Sequence, residues 1–75
     1  MSKELPRLTA KEIISVIEKL GFTLVRQSGS HKIYKNGMGK RVTVPFHGRK
    51  ILHPKVLRSI MVDADVAIEK LKEFV

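Results

Sequence analysis

The sequence predicts an α+β domain: a two-layer α-β-β-β-α arrangement with a three-stranded antiparallel sheet, both helices on one sheet face, and a short C-terminal helix. Three observations predict it. A capped helical stripe opens the chain, three short runs rich in β-branched and aromatic residues fill its middle with glycine turns between them, and a second helical stripe follows a proline. Seventy-five residues fit one domain, 1–75, read as a leader (1–8), an α-β-β-β-α core (9–62) and a C-terminal helical segment (63–75). A chain this short buries only about 60–65% of the surface its unfolded form exposes, so one shared core is the limit. With no cysteine, that core rests on Ile, Leu, Val, Phe and Met, without disulfides or thiolate zinc.

In the leader, Pro6 discourages helix, while Leu5 and Leu8 can fold back on the first element. Thr9-Ala10-Lys11-Glu12 matches a capping box, with Thr ahead of a Glu three residues on. The helix it starts carries Ile13, Ile17 and Leu20 at helical spacing, flanked by Ile14 and Val16, and runs through Leu20. Gly21 stands where a helix commonly ends in a left-handed residue. Phe22 to Gln27 reads as a strand. Ser28-Gly29-Ser30 is a turn. His31 to Lys35 is a second strand, with His31, Ile33 and Lys35 on one face and Lys32 and Tyr34 on the other. Ile33 and Tyr34 compete for the buried face, and the pattern leaves that choice open. Asn36 to Lys40 is a second turn. Arg41-Val42-Thr43-Val44 is a third strand, which Pro45 is expected to end because it cannot donate to a ladder. Phe46 to Leu52 is a basic loop. His53-Pro54 opens the second helix, with Val56, Leu57, Ile60 and Met61 on its apolar face. Asp63 or Asp65 breaks it, and Val66, Leu71 and Phe74 supply the apolar side of the last helix.

Charge is segregated along the chain. From Lys19 to Val62 there are ten Lys/Arg residues, all three histidines and no Asp or Glu. The seven acids all lie outside that segment, so the middle carries +10 and the flanks −2, giving the net +8. A one-sided basic distribution calls for a polyanionic partner: nucleic acid first, then an acidic protein, then an anionic membrane surface. No run approaches the roughly 18 apolar residues needed to span a bilayer, and the N-terminus lacks an apolar signal core, so a cytoplasmic location is expected.

The acid-free segment narrows the chemistry. Paired carboxylates and carboxylate-held magnesium have no ligands there. His31, His47 and His53 are spaced by 16 and 6 residues, which matches no common zinc pattern. No Walker-type phosphate loop is present. A histidine among cations remains. Histidine exchanges a proton near neutral pH, RNA brings its own nucleophile in the ribose 2′-hydroxyl, and Lys or Arg neutralises charge that builds on phosphate. Substrate-assisted RNA cleavage needs neither metal nor carboxylate. The plainer reading of His31 is a surface or hydrogen-bonding residue at a strand start. For Lys32, Lys35, Lys40 and Arg41 it is a solvated strand face. His47 and His53 read as structural or phosphate-adjacent.

Leu24-Val25-Arg26-Gln27-Ser28-Gly29-Ser30-His31-Lys32-Ile33-Tyr34-Lys35 resembles the signature of HicA-type (YcfA-like) toxins, an arginine-bearing strand followed by Gly-Ser-His. The resemblance extends to Glu18-Lys19-Leu20-Gly21-Phe22, Val42-Thr43-Val44-Pro45 and Leu57-Arg58-Ser59-Ile60-Met61, and covers about residues 9–74. It implies a fold like a double-stranded-RNA-binding domain, metal-independent endoribonuclease (mRNA interferase) activity without a cofactor, and inhibition by a cognate HicB-type antitoxin. The family's catalytic histidine falls on His31 and its glycine on Gly29. Many members carry a second histidine where Lys32 stands, and glycine where Asp65 stands. The candidate RNA-contacting set is Gly29, Ser30, Lys32, Lys35, Lys40 and Arg41. Two further readings use the same surface: a non-catalytic RNA-binding module, and a protein-binding domain whose basic face docks an acidic partner.

Overall fold

A computed structural model describes residues 5–74. The elements are α1 (Ala10–Lys19), β1 (Thr23–Ser28), β2 (His31–Lys35), β3 (Arg41–Pro45), α2 (Pro54–Ala64) and α3 (Ile68–Phe74). Residues 1–4 of the expected leader, and Val75, lie outside the described residues. The rest of the leader is anchored: Leu8 is buried and Leu5 packs against the core.

Both ends of α1 are closed by local hydrogen bonds. At the start, the Glu12 N–H donates to Thr9 Oγ1 (3.3 Å) and the Thr9 N–H donates to Glu12 Oε1 (2.8 Å). This is the capping box, and its threonine contributes about 1 kcal/mol in such settings. At the other end, the Phe22 N–H donates to the Ile17 carbonyl (3.0 Å) and the Gly21 N–H to that of Glu18 (3.1 Å). That pair of bonds is a Schellman motif, with Gly21 at φ 98. Phe22 is its buried hydrophobic partner to Ile17. Phe22 therefore belongs to the helix cap, and β1 starts one residue later than the sequence pattern indicates and extends through Ser28.

The three strands form an antiparallel meander in the order β1-β2-β3. Tyr34 lies opposite Val42 and Lys32 opposite Val44. Tyr34 and both valines are buried, whereas Ile33 is only half-buried. The tyrosine side is thus the core side, and His31, Ile33 and Lys35 take the open face. Burial, and secondarily the Glu18 carboxylate, raise the Tyr34 hydroxyl above its ordinary 10.0. β3 ends at Pro45 as expected, with the proline itself its last residue, paired with His31. An edge strand tolerates a proline because one of its two sides has no ladder to supply.

His53 caps α2: its Nδ1 accepts the Lys55 N–H at 3.0 Å, and Pro54 fills the first helical position, where no N–H is needed. Leu57, Ile60, Met61 and Ala64 face the core. Asp65 closes the helix at φ 58, ψ 47, the left-handed conformation usually given to glycine. Leu71 of α3 is fully buried, and Val66 and Phe74 pack beside it. The two longer helices meet the sheet mainly at β3. β1 lies on the far side of the sheet and is exposed along its whole length, with Leu24 at 47% and Val25 at 53%. Among the described residues, no helix is long and apolar enough to cross a membrane.

Candidate nucleic-acid interface

Strand register places the open-face residues in three rows. The first holds Ser28, His31 and Pro45, the second Arg26, Ile33 and Thr43, and the third Thr23, Lys35 and Arg41. Alternate residues of a strand are about 6.7 Å apart, so the Lys35–Arg41 row lies about 13 Å from His31. Arg26 is diagonal to His31 across the β1–β2 pair. Diagonal neighbours sit about 7–8 Å apart, within reach of a long side chain. By register, then, the strand cation nearest His31 on this face is Arg26. The extra residue at Val25 adjusts the alternation: it puts Leu24 opposite Tyr34, on the core side, while Arg26 stays opposite Ile33.

The turn that delivers His31 is tight. Ser28 pairs with His31, leaving Gly29 and Ser30 as a two-residue loop. Gly29 has φ 58 and Ser30 has no positive φ. That sign pattern marks a type II′ hairpin turn, which places glycine first. Two contacts fix the turn: Gln27 Nε2 donates to the Gly29 carbonyl (3.3 Å), and the Phe46 N–H donates to the Ser30 carbonyl (2.6 Å). His31 itself is exposed.

The sequence-predicted contact set divides in space. His31, Lys35 and Arg41 share the open face, and Gly29 and Ser30 form the turn at its end. Lys32 is on the opposite face, half-buried, with its ammonium 4.1 Å from the centroid of the Phe46 ring. Its stem covers apolar surface and its charge meets a ring face. Lys40 is in the β2–β3 turn, where its Nζ is 2.9 Å from Asp65 Oδ2. The same contact holds the Asp65 carboxyl below its ordinary 3.8. Arg26 is the functional candidate the contact set lacks. Its signal was available: it lies two residues before Ser28, on the side of the strand that the turn carries to His31.

Acids are absent from all three strands. Among the described residues they sit in the helices or the turn that closes α2: Glu12 and Glu18 in α1, Asp63 and Asp65 at the end of α2, Glu69 and Glu73 in α3. The charge segregation read along the chain is therefore a segregation between layers. Among the described residues, no three His, Cys, Asp or Glu side chains gather closely enough to hold a metal ion.

The family model for the HicA toxin of bacterial toxin-antitoxin systems matches residues 10–66, from the first residue of α1 to just past the end of α2. The chain belongs to the HicA toxin family. It is the toxin member of a toxin-antitoxin system, and such a toxin has a cognate antitoxin as its partner. The comparison with curated proteins found no match. Within this HicA chain, Gly29-Ser30-His31 forms the type II′ turn and the first residue of β2. Asp65, where the resemblance leads one to expect glycine, adopts the left-handed conformation that glycine takes most easily.

Proposed function

We propose that this HicA toxin is a metal-independent endoribonuclease that cleaves mRNA on the open face of its sheet, with His31 as the catalytic residue. The observation that carries the reading is the arrangement of that face: one imidazole, three strand cations and no carboxylate. In the reaction, His31 handles the proton of the ribose 2′-hydroxyl as that oxygen attacks the adjacent phosphorus. The bond to the 5′-oxygen breaks and that oxygen takes up a proton from water, leaving a 2′,3′-cyclic phosphate and a 5′-hydroxyl end. Arg26, the nearest strand cation, offsets charge on the phosphate oxygens. Lys35 and Arg41, about 13 Å along the sheet, hold neighbouring phosphates. The antitoxin is of the HicB type and blocks this face with carboxylates that take the place of phosphates. A protein with this reaction and partner acts in the cytoplasm.

The test is cleavage of a defined RNA in EDTA. Wild-type protein cuts it to cyclic-phosphate ends. His31→Ala folds normally, because His31 is exposed, and loses about 10²–10⁴ in rate, the usual share of a proton-transfer group. Cleavage by His31→Ala at the wild-type rate removes His31 from the mechanism. RNA binding without cleavage by the wild type assigns the face to a non-catalytic binding module.

A further inference from the structure

A cleft of about 260 Å³ opens beside the His31 end of the sheet. Pro45, Ile51 and Val56 form apolar walls, and the imidazoles of His47 and His53 line it with them. Its position follows from the backbone. Pro45 is the register partner of His31, so one wall stands on the residue next to it, about 5 Å away between Cα atoms. The far wall is held as well, since the Leu52 N–H donates to the Leu8 carbonyl (2.8 Å) and Ile51 bridges to Thr9. Ile51 is 51% exposed, so its side chain is available at the cleft.

We infer that this cleft is a nucleobase slot, which takes the base of one nucleotide adjoining the phosphate cut at His31. The proposal rests on the ribonuclease reading above and adds a specificity site to it. Three properties fit one base. The volume lies just below the about 300–1,000 Å³ of small-molecule pockets, too small for more than one flat ring system and its sugar edge. Unstacked RNA bases lie against imidazole and apolar side chains. The segment that carries the slot, residues 46–55, holds His47, Arg49, Lys50, His53 and Lys55 and no acid, so the phosphates on either side of an inserted base meet only cations. His53 adds directionality. Because its Nδ1 accepts the Lys55 N–H, the neutral ring carries its proton on Nε2, a donor for an acceptor on the base edge.

The experiment uses a short RNA with a single cut site and abasic sugars placed one at a time on either side of it. With wild-type protein, removing the base at one position lowers kcat/KM by about 5- to 100-fold, the worth of one stacked base. Removal at the other positions does little. In the variant His47→Ala/Ile51→Ala, whose two changes are at exposed side chains, the intact RNA is already cut that much more slowly. Removing the same base then has no further effect. A 2-aminopurine at that position reports the slot by binding alone: its fluorescence changes with wild type and with His31→Ala, and not with the cleft variant. An abasic penalty that persists undiminished in the cleft variant overturns the slot. So does loss of antitoxin affinity with the abasic penalty intact, which would give the cleft to the partner protein. Failure of the ribonuclease reading is seen separately, as no cleavage of any RNA or as full cleavage by His31→Ala.

Discussion

Gly29 can serve the turn or the RNA, and the structure separates the two roles. A Cβ built at Gly29 has nothing within 4 Å, so an alanine there meets no neighbour. The whole cost of Gly29→Ala is then backbone conformation, since φ 58 at the first position of a type II′ turn is nearly closed to L-residues. Such a conformation costs about 1–3 kcal/mol. A domain of this length has a total stability of about 4–11 kcal/mol, so the variant still folds. At about 2 kcal/mol, its melting midpoint drops by about 8–16 °C. Followed by circular dichroism, the midpoint should fall by the same amount for Gly29→Ser, because space does not limit either side chain. The informative companion is D-alanine at position 29, introduced by chemical synthesis, which is practical at 75 residues. A D-residue favours positive φ, so this protein melts at or above the wild-type midpoint, by up to about 1 kcal/mol from restricting the unfolded chain. Wild-type RNA cleavage by the D-alanine protein shows that the glycine acts by shaping the turn that presents His31. A midpoint of Gly29→Ala equal to wild type refutes the turn geometry. A D-alanine protein that is stable but inactive refutes the turn-only role and makes Gly29 a place where RNA approaches the backbone.

Two further perturbations act on the charge pattern. Asp65→Gly releases a left-handed backbone strain and removes an exposed ion pair with Lys40, so the melting midpoint at neutral pH stays level or rises. Because Lys40 holds the Asp65 carboxyl low, the pair contributes above the carboxyl's unfolded value and is lost as pH falls through its folded value. Urea midpoints measured across the acid range should therefore fall less steeply in Asp65→Gly than in wild type. Arg41→Glu replaces a like-charge cross-strand pair with Lys35 by an opposite one, which stabilises the sheet by about 0.5–1 kcal/mol. The same variant weakens RNA binding and lowers the slope of log affinity against log salt, by about 1–2. A variant that binds RNA as well as wild type places the substrate away from this row.

The elements governed by local rules were legible in the sequence. Thr9 and Glu12 announce the start of α1, Gly21 its end, and Pro54 the start of α2, because each acts within about four residues. What depended on pairing was not. The choice between Ile33 and Tyr34 is made across the sheet, where Tyr34 meets Val42 between the helices and the strand. Nothing within His31-Lys32-Ile33-Tyr34-Lys35 contains that information. The same register separates His31 from Lys32, which are adjacent in the motif and on opposite faces of the sheet, and brings in Arg26 from another strand. Pro45 was legible too: β3 ends at it, since a proline acts on its own strand. His31 could be singled out because charge is a property of composition. The cleft beside it could not, since Pro45, Ile51 and Val56 converge only after the loop is pinned to Leu8 and Thr9.

Lys35 and Arg41 sit directly opposite each other, an arrangement that costs stability in any antiparallel pair. Arg26 adds a third cation to the same face, and β1 lies far from the strand where the helices pack, with two large apolar residues exposed. Each feature is a local choice against the fold, and a sheet selected for stability alone would carry an acid in at least one of these positions. Among the described residues the acids go to Thr9, Lys40 and the helices, and none is on a strand. Departures from local consistency that cluster on one surface mark a functional surface. The like-charged row of Lys35 and Arg41, with Arg26 beside it, is relieved by a polyanion laid across the open face, whereas Leu24 lies on the other side of the sheet. In the proposed function that polyanion is RNA, and the cognate antitoxin is the second partner that can cover the face. In that proposal the cations that weaken the free sheet are the ones that draw its partners, and a domain of this size has only modest stability to lose.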